Sequence, residues 1–167
     1  MQRVVVLGNG GSGKSVLSRE LSRRTGLPVV HLDPLFWQPG WKAGPRDEFR
    51  RAVDDAVAGE RWIMDGNFVG TGDARFERAD TAIFLDLPRR ICIARALRRF
   101  VRERRLHRPD LPAGCQEGLD WAFLKWMWNF ERDDRPQVLE RLRRSDAEAV
   151  HLRSPDEVRR YVESLRG

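Results

Sequence analysis

Residues Gly8 to Ser15 read Gly-Asn-Gly-Gly-Ser-Gly-Lys-Ser and follow directly on the apolar run Val4-Val5-Val6-Leu7. The octet fits GxxxxGK[ST], and it has a strand pattern before it and a helix pattern after it (Val16, Leu17, Glu20, Leu21). That placement makes it a Walker A P-loop. Across Gly8, Asn9, Gly10, Gly11, Ser12 and Gly13, small residues let successive backbone N–H groups curl into an anion cradle. The helix beginning after Gly13 turns its positive end toward the same point. Lys14 is expected to reach the β- and γ-phosphates of a nucleotide, and Ser15 to place its hydroxyl on Mg²⁺.

Further apolar runs at Arg3 to Leu7, Pro28 to Leu32, Arg61 to Asp65, Thr81 to Leu85 and Glu148 to Leu152 read as buried strands separated by helical patterns. That alternation implies a parallel α/β sheet. One helix is expected from about Lys14 to Thr25, stopped by Gly26 with Pro28 beyond it, and a second from about Pro45 to Ala58. Pro88 opens a third, in which Ile93, Leu97 and Val101 form an apolar stripe and Arg95, Arg98, Arg99 and Arg102 a guanidinium face. Between Arg104 and Asp120 the Pro, Gly and charge content rises, as in an insertion loop. Trp121 to Phe130 then carries five aromatic residues in ten. It is either a helix buried on several sides or a face that stacks on a base or closes over a ligand.

A chain of 167 residues, 41% apolar, suits one globular domain. No stretch of about eighteen apolar residues occurs and no leader precedes the first strand, so a cytoplasmic protein with no membrane partner is expected, monomeric or homodimeric. Cys92 and Cys115 have no CxxC spacing and no histidine cluster. The net charge of +6 arises from 28 arginines against three lysines, Lys14, Lys42 and Lys125, and nine arginines lie between Arg89 and Arg108. That cluster is either solvated helix surface or a site for a polyanion, including weak binding of nucleic acid.

A P-loop enzyme needs a second metal-shell carboxylate. Trp62-Ile63-Met64-Asp65 and Ala82-Ile83-Phe84-Leu85-Asp86 both end an apolar strand on an aspartate, and pattern alone does not choose between them. Asp33 ends a third strand, at the carboxyl ends of the strands where ligands bind in such sheets, and could accept a proton from an attacking hydroxyl or coordinate the metal through water. His31 shares that strand. No Asn-Lys-x-Asp or Thr-Lys-x-Asp guanine motif is present, and the short chain leaves little room for the lid domain of a hexameric ATPase. A small-molecule kinase needs only the cradle, the metal and arginines on a closing segment.

The chain resembles the adenylate-kinase-related P-loop proteins known as DNA topology modulation proteins over nearly its whole length. The likeness rests on Gly8 to Ser15, His31-Leu32-Asp33 with Phe36-Trp37 and Pro39-Gly40-Trp41, Trp62 to Asn67, Phe84 to Arg89, Arg108-Pro109-Asp110 with Gly114-Cys115, and Leu124 to Phe130 with Arg135-Pro136. It implies a three-layer α/β/α P-loop fold, a single domain over 1–167 with a five-stranded parallel sheet in the order 2-3-1-4-5 and a helical lid-like insertion at about 100–135. It implies ATP and Mg²⁺, and a small-molecule or nucleotide acceptor.

Against the wider nucleoside monophosphate kinase pattern, Asp65-Gly66 matches the Asp-Gly ending the third strand, which favours Asp65 over Asp86 for the metal. Arg95 and Arg99 match the lid-hinge arginines that contact ATP, Arg132 and Arg135 the returning lid arginines, and Ser154-Pro155 the loop presented to adenine. Where those kinases continue Phe/Tyr-Pro-Arg to grip an acceptor phosphate, this chain has Asn67-Phe68-Val69-Gly70. The acceptor is thus expected between the Asp33 to Trp41 segment and Asn67, with Trp37, Arg46 and Arg75 as contacts. An ATP-hydrolysing regulator that binds nucleic acid is the alternative.

Overall fold

The computed structural model describes residues 1–68, 74–103, 114–115 and 121–165. In chain order it contains β1 (Arg3–Gly8), α1 (Lys14–Thr25), β2 (Val29–His31), α2 (Asp33–Phe36), a hairpin of β3 (Trp37–Gln38) and β4 (Lys42–Ala43), and α3 (Arg46–Val57). There follow β5 (Trp62–Asp65), α4 (Ala74–Arg78), β6 (Thr81–Leu85), α5 (Arg89–Glu103), α6 (Trp121–Asp133), α7 (Arg135–Arg144), β7 (Glu148–Leu152) and α8 (Pro155–Ser164).

Five strands pair in parallel in the order β2-β5-β1-β6-β7, which is 2-3-1-4-5 once the hairpin strands are set aside. The strands are apolar on both sides because both faces are covered. Successive β1 residues alternate between two cores. Val5 and Leu7 join Met64, Phe84 and the α3 residues Phe49 and Val53, with Phe130, Val138 and Leu142 from α6 and α7. Val4 and Val6 join Ile63, Ile83, Leu17 and Leu21, with Val158 and Val162 of α8 packed against them. The result is a three-layer α/β/α sandwich. Each fully buried aliphatic side chain contributes about 1.5–3 kcal/mol to it.

Two expectations shift. β2 ends at His31, and Asp33 opens α2 instead of closing the strand, because Pro34 presets helical φ at the start of that short helix. On α5 the buried face is Cys92 and Ala96, one residue removed from the expected stripe; Ile93 is half-buried, whereas Leu97 and Val101 are exposed. Small side chains there allow the helix to approach the P-loop backbone. Burial pushes the Cys92 thiol up to about 11, so it stays protonated and packs as a small hydrophobe. Among the described residues no helix is long and apolar enough to cross a membrane.

Candidate nucleotide and acceptor site

Between β1 and α1 the loop closes on itself through Ser12 N–H, which donates to Asn9 O at 3.2 Å. Gly11 lies at φ +71, and a Cβ there would sit 2.2 Å from the Cys92 carbonyl oxygen of α5. The position therefore requires glycine. No side chain caps the first turn of α1 and no acidic residue stands in it, so the leading N–H groups and the positive helix end remain for an anion. Lys14 folds back along the loop, its ammonium donating to Gly8 O at 2.9 Å and Asn9 O at 3.1 Å. Ser15 is half-buried on the same turn. A glycine-lined cradle, an uncapped helix start and a tethered ammonium fit a polyphosphate.

Arg95 reaches the loop from α5, donating to Ser12 O at 3.2 Å. Arg95, Arg99 and Pro155 line one open cleft with Gly11, Ser12 and Gly13, about 850 Å³ in volume. That is within the range of small-molecule sites, about 300–1,000 Å³. The structure thus brings together the P-loop, Arg95, Arg99 and the start of α8, although they are far apart in sequence. Ser154 acts instead within its own helix, where its hydroxyl accepts from Glu157 N–H at 3.2 Å and caps α8.

The two competing aspartates sit in different surroundings. Asp86 is gripped at both oxygens by Arg135 (2.8 Å each) and by His151 Nε2 at 2.7 Å. Burial alone would raise its carboxyl, but the hydrogen bonds from Arg135 and His151 outweigh this and hold it below the ordinary carboxylate range. Asp65 lies in register beside Val6, at the end of the strand next to β1, and only 5% of it is exposed. Its Oδ2 is 2.9 Å from His31 Nδ1. A hydroxyl at Ser15 and a carboxylate at Asp65 are the hard oxygen donors that Mg²⁺ takes, with water completing the shell. Among the described residues no group of three or more His, Cys, Asp or Glu stands together as a metal cage, which Mg²⁺ bound through substrate phosphates does not need.

On the acceptor side, Asp33 is exposed at the start of α2 and Arg46 is exposed at the start of α3. Trp37 packs edge-on between Phe36 and Trp41, ring centroids at 4.9 and 5.9 Å. Asn67 braces the P-loop: its carboxamide accepts from Gly8 N–H at 3.0 Å and donates to Gly8 O at 2.9 Å. Arg75 is fully buried and donates to Gly66 O at 2.7 Å and to Asn67 O, so its guanidinium shapes the turn after β5.

The two returning arginines diverge. Arg135 holds Asp86, whereas Arg132 is exposed and pairs with its neighbour Asp133 at 2.6 Å. On α6, Phe130 and Met127 are buried, Phe123 and Trp126 half-buried, and Trp121 and Trp128 exposed, so this helix is packed on one side only. Of the expected insertion, residues 104–113 and 116–120 lie outside the described residues, as do Arg104, Arg105 and Arg108 of the arginine cluster. Sequence reasoning missed the partners His151 and Met127 O, the latter bound by Asn9 Nδ2 at 2.8 Å. A backbone carbonyl 118 residues away leaves no signal in a motif.

No protein-family model matches the chain. The uncharacterized protein YqaC of Bacillus subtilis (strain 168) is 30% identical over 129 residues, 75% of this chain and 70% of YqaC. Among solved structures, the shikimate kinase from Acinetobacter baumannii in complex with shikimate superposes with a TM-score of 0.63 at 13% identity, covering 99% of this chain and 90% of that one. The shikimate kinase from Bacteroides thetaiotaomicron gives 0.62 at 18%, covering 99% and 96%. At these identities the likeness is one of fold, a P-loop α/β fold with a five-stranded parallel sheet. The topology-modulation part of the resemblance does not recur among these relatives.

Proposed function

The chain belongs to the same family as YqaC of Bacillus subtilis, and from its P-loop architecture we propose that it is a kinase of a small hydroxyl-bearing molecule, with ATP·Mg²⁺ as donor. The observation that carries this reading is the cleft lined jointly by the P-loop, Arg95, Arg99 and Pro155. The P-loop amides and Lys14 bind the phosphates; Arg95 and Arg99 flank the nucleotide, with Pro155 at its base end. Ser15 and Asp65 would hold Mg²⁺, and the ion would supply charge neutralisation to the nucleotide phosphates. Asp33 accepts the proton of the acceptor hydroxyl as its oxygen bonds to the γ-phosphorus and the β–γ bridging bond breaks, leaving ADP. α6 is the described part of the expected lid-like insertion, and the exposed Arg132 lies in its last turn.

The acceptor is held between the Asp33 to Trp41 segment, Arg46 and Asn67. Arg75 supports this site from behind, its Nη1 and Nη2 donating to the Gly66 and Asn67 carbonyls. A small hydroxyl compound suits this site better than a monophosphate, and the shikimate kinase folds support that class. The relatives give no support to a nucleic-acid regulator. The test is acceptor-dependent ADP release across a panel of nucleosides, nucleotides and small alcohols. Lys14→Ala should cut any turnover found by about 10²-fold or more while circular dichroism stays unchanged. Turnover that persists in a folded Lys14→Ala protein contradicts the reading.

A further inference from the structure

The P-loop is held from outside by the helix that returns from the expected lid. Asn9, 2% exposed, donates from Nδ2 to the Met127 carbonyl of α6 at 2.8 Å, and its Oδ1 accepts from Gly10 N–H at 2.7 Å. The backbone oxygen of the same residue takes the Lys14 ammonium at 3.1 Å and Ser12 N–H at 3.2 Å. Next to it, Gly10 is pressed against α6 so closely that a Cβ would lie 3.0 Å from Phe123, 3.1 Å from Met127 and 3.2 Å from Trp126. One short side chain therefore connects the phosphate cradle and its lysine to α6. A buried amide used at both ends in this way ties the loop to α6, because parting them would leave buried polar groups unpaired.

We propose that Asn9 is a positioning residue that couples nucleotide occupancy of the P-loop to the order of α6. The proposal rests on the kinase reading for its ligand. Anything that fixes Gly8 to Lys14 around phosphates also fixes the Asn9 carboxamide, and through Met127 O it seats α6 and the aromatic side chains Phe123 and Trp126. Linkage makes the effect reciprocal: a seated α6 favours the cradle conformation that binds the nucleotide. The consequence is that α6 settles when the donor arrives.

Hydrogen exchange of the full chain, with and without ADP·Mg²⁺ and a nonhydrolysable ATP analogue, tests this. In the native protein, nucleotide should slow exchange in 121–133 by about tenfold, within the range for coupled sites. In Asn9→Asp the acceptor for Gly10 N–H is kept, but a carboxylate oxygen replaces the donor facing Met127 O. This variant should bind nucleotide more weakly, because a carboxylate now stands in the cradle and the linkage is reciprocal; at saturating nucleotide the start of α1 is still protected, while the nucleotide-dependent slowing in α6 falls to less than about twofold. A purely structural role would lower protection equally with and without nucleotide and leave the ratio unmoved, and that result overturns the coupling. If Asn9→Asp does not fold, Gly10→Ala serves: its methyl wedges α6 away with the Asn9 side chain intact, and it should lose the same ratio. Native protein that binds nucleotide with no change in α6 also overturns the proposal. Native protein that binds neither nucleotide refutes the kinase reading itself, and the coupling with it.

Discussion

Replacing Gly11 with alanine should damage the protein far more than the same change at Gly26, although both residues have nearly the same backbone, φ +71 and φ +68. A left-handed conformation costs an alanine about 1–2 kcal/mol at either position. At Gly26, the stop of α1, a Cβ meets nothing within 4 Å, so that strain is the whole effect. At Gly11 the added carbon would sit 2.2 Å from Cys92 O, more than 1 Å short of ordinary contact, and 3.4 Å from Ala96 Cβ. The obstacle is backbone and cannot rotate aside; the P-loop must part from α5. Overpacking of that kind adds about 1–3 kcal/mol, for a total of about 2–5 kcal/mol. At about 2–4 °C per kcal/mol for a chain of this size, Gly11→Ala should melt about 4–20 °C lower than the native protein and Gly26→Ala about 2–8 °C lower. Differential scanning calorimetry reads both. Because the same displacement opens the cradle, only Gly11→Ala should lose affinity for ATP. Two variants melting within about 2 °C of each other would refute the argued approach of α5 to the loop.

Asp33→Asn should lower phosphoryl transfer by about 10²-fold or more with ATP affinity nearly unchanged, measured by steady-state kinetics beside nucleotide titration; unchanged rates would leave Asp33 no part as base. Asp86 yields a pH prediction. Its carboxyl is held below its unfolded value of about 3.9, so its contribution is fully present above that pH and is lost as pH falls through the lower folded value. Asp86→Asn should therefore cost about 1–3 kcal/mol at pH 7, and urea melts of variant and native protein should draw together on acidification; a gap that does not begin to narrow as pH falls below about 3.9 would contradict the assignment.

The layered fold was legible because its signals are local. Buried parallel strands appear as apolar runs such as Val4 to Leu7 and Thr81 to Leu85, and Gly26 with Pro28 punctuates α1 at the residue where it ends. The P-loop was legible for the same reason. The acceptor segment was not: strands of two residues have no period, so the Trp37–Gln38 and Lys42–Ala43 hairpin leaves only a Pro-Gly turn as its trace. The orientation of α5 was misread by one residue because Cys92 and Ala96, facing the loop backbone, are smaller than Leu97 and Val101. The surroundings of Asp86 were illegible too, since Arg135 and His151 lie 49 and 65 residues away and no local rule joins them.

Isothermal titration calorimetry of the intact chain against ATP with excess magnesium is the deciding experiment. A saturable one-to-one heat that Lys14→Ala abolishes, in a protein still folded, is the expected result. A folded native protein that gives no heat with ATP at millimolar concentration contradicts the account.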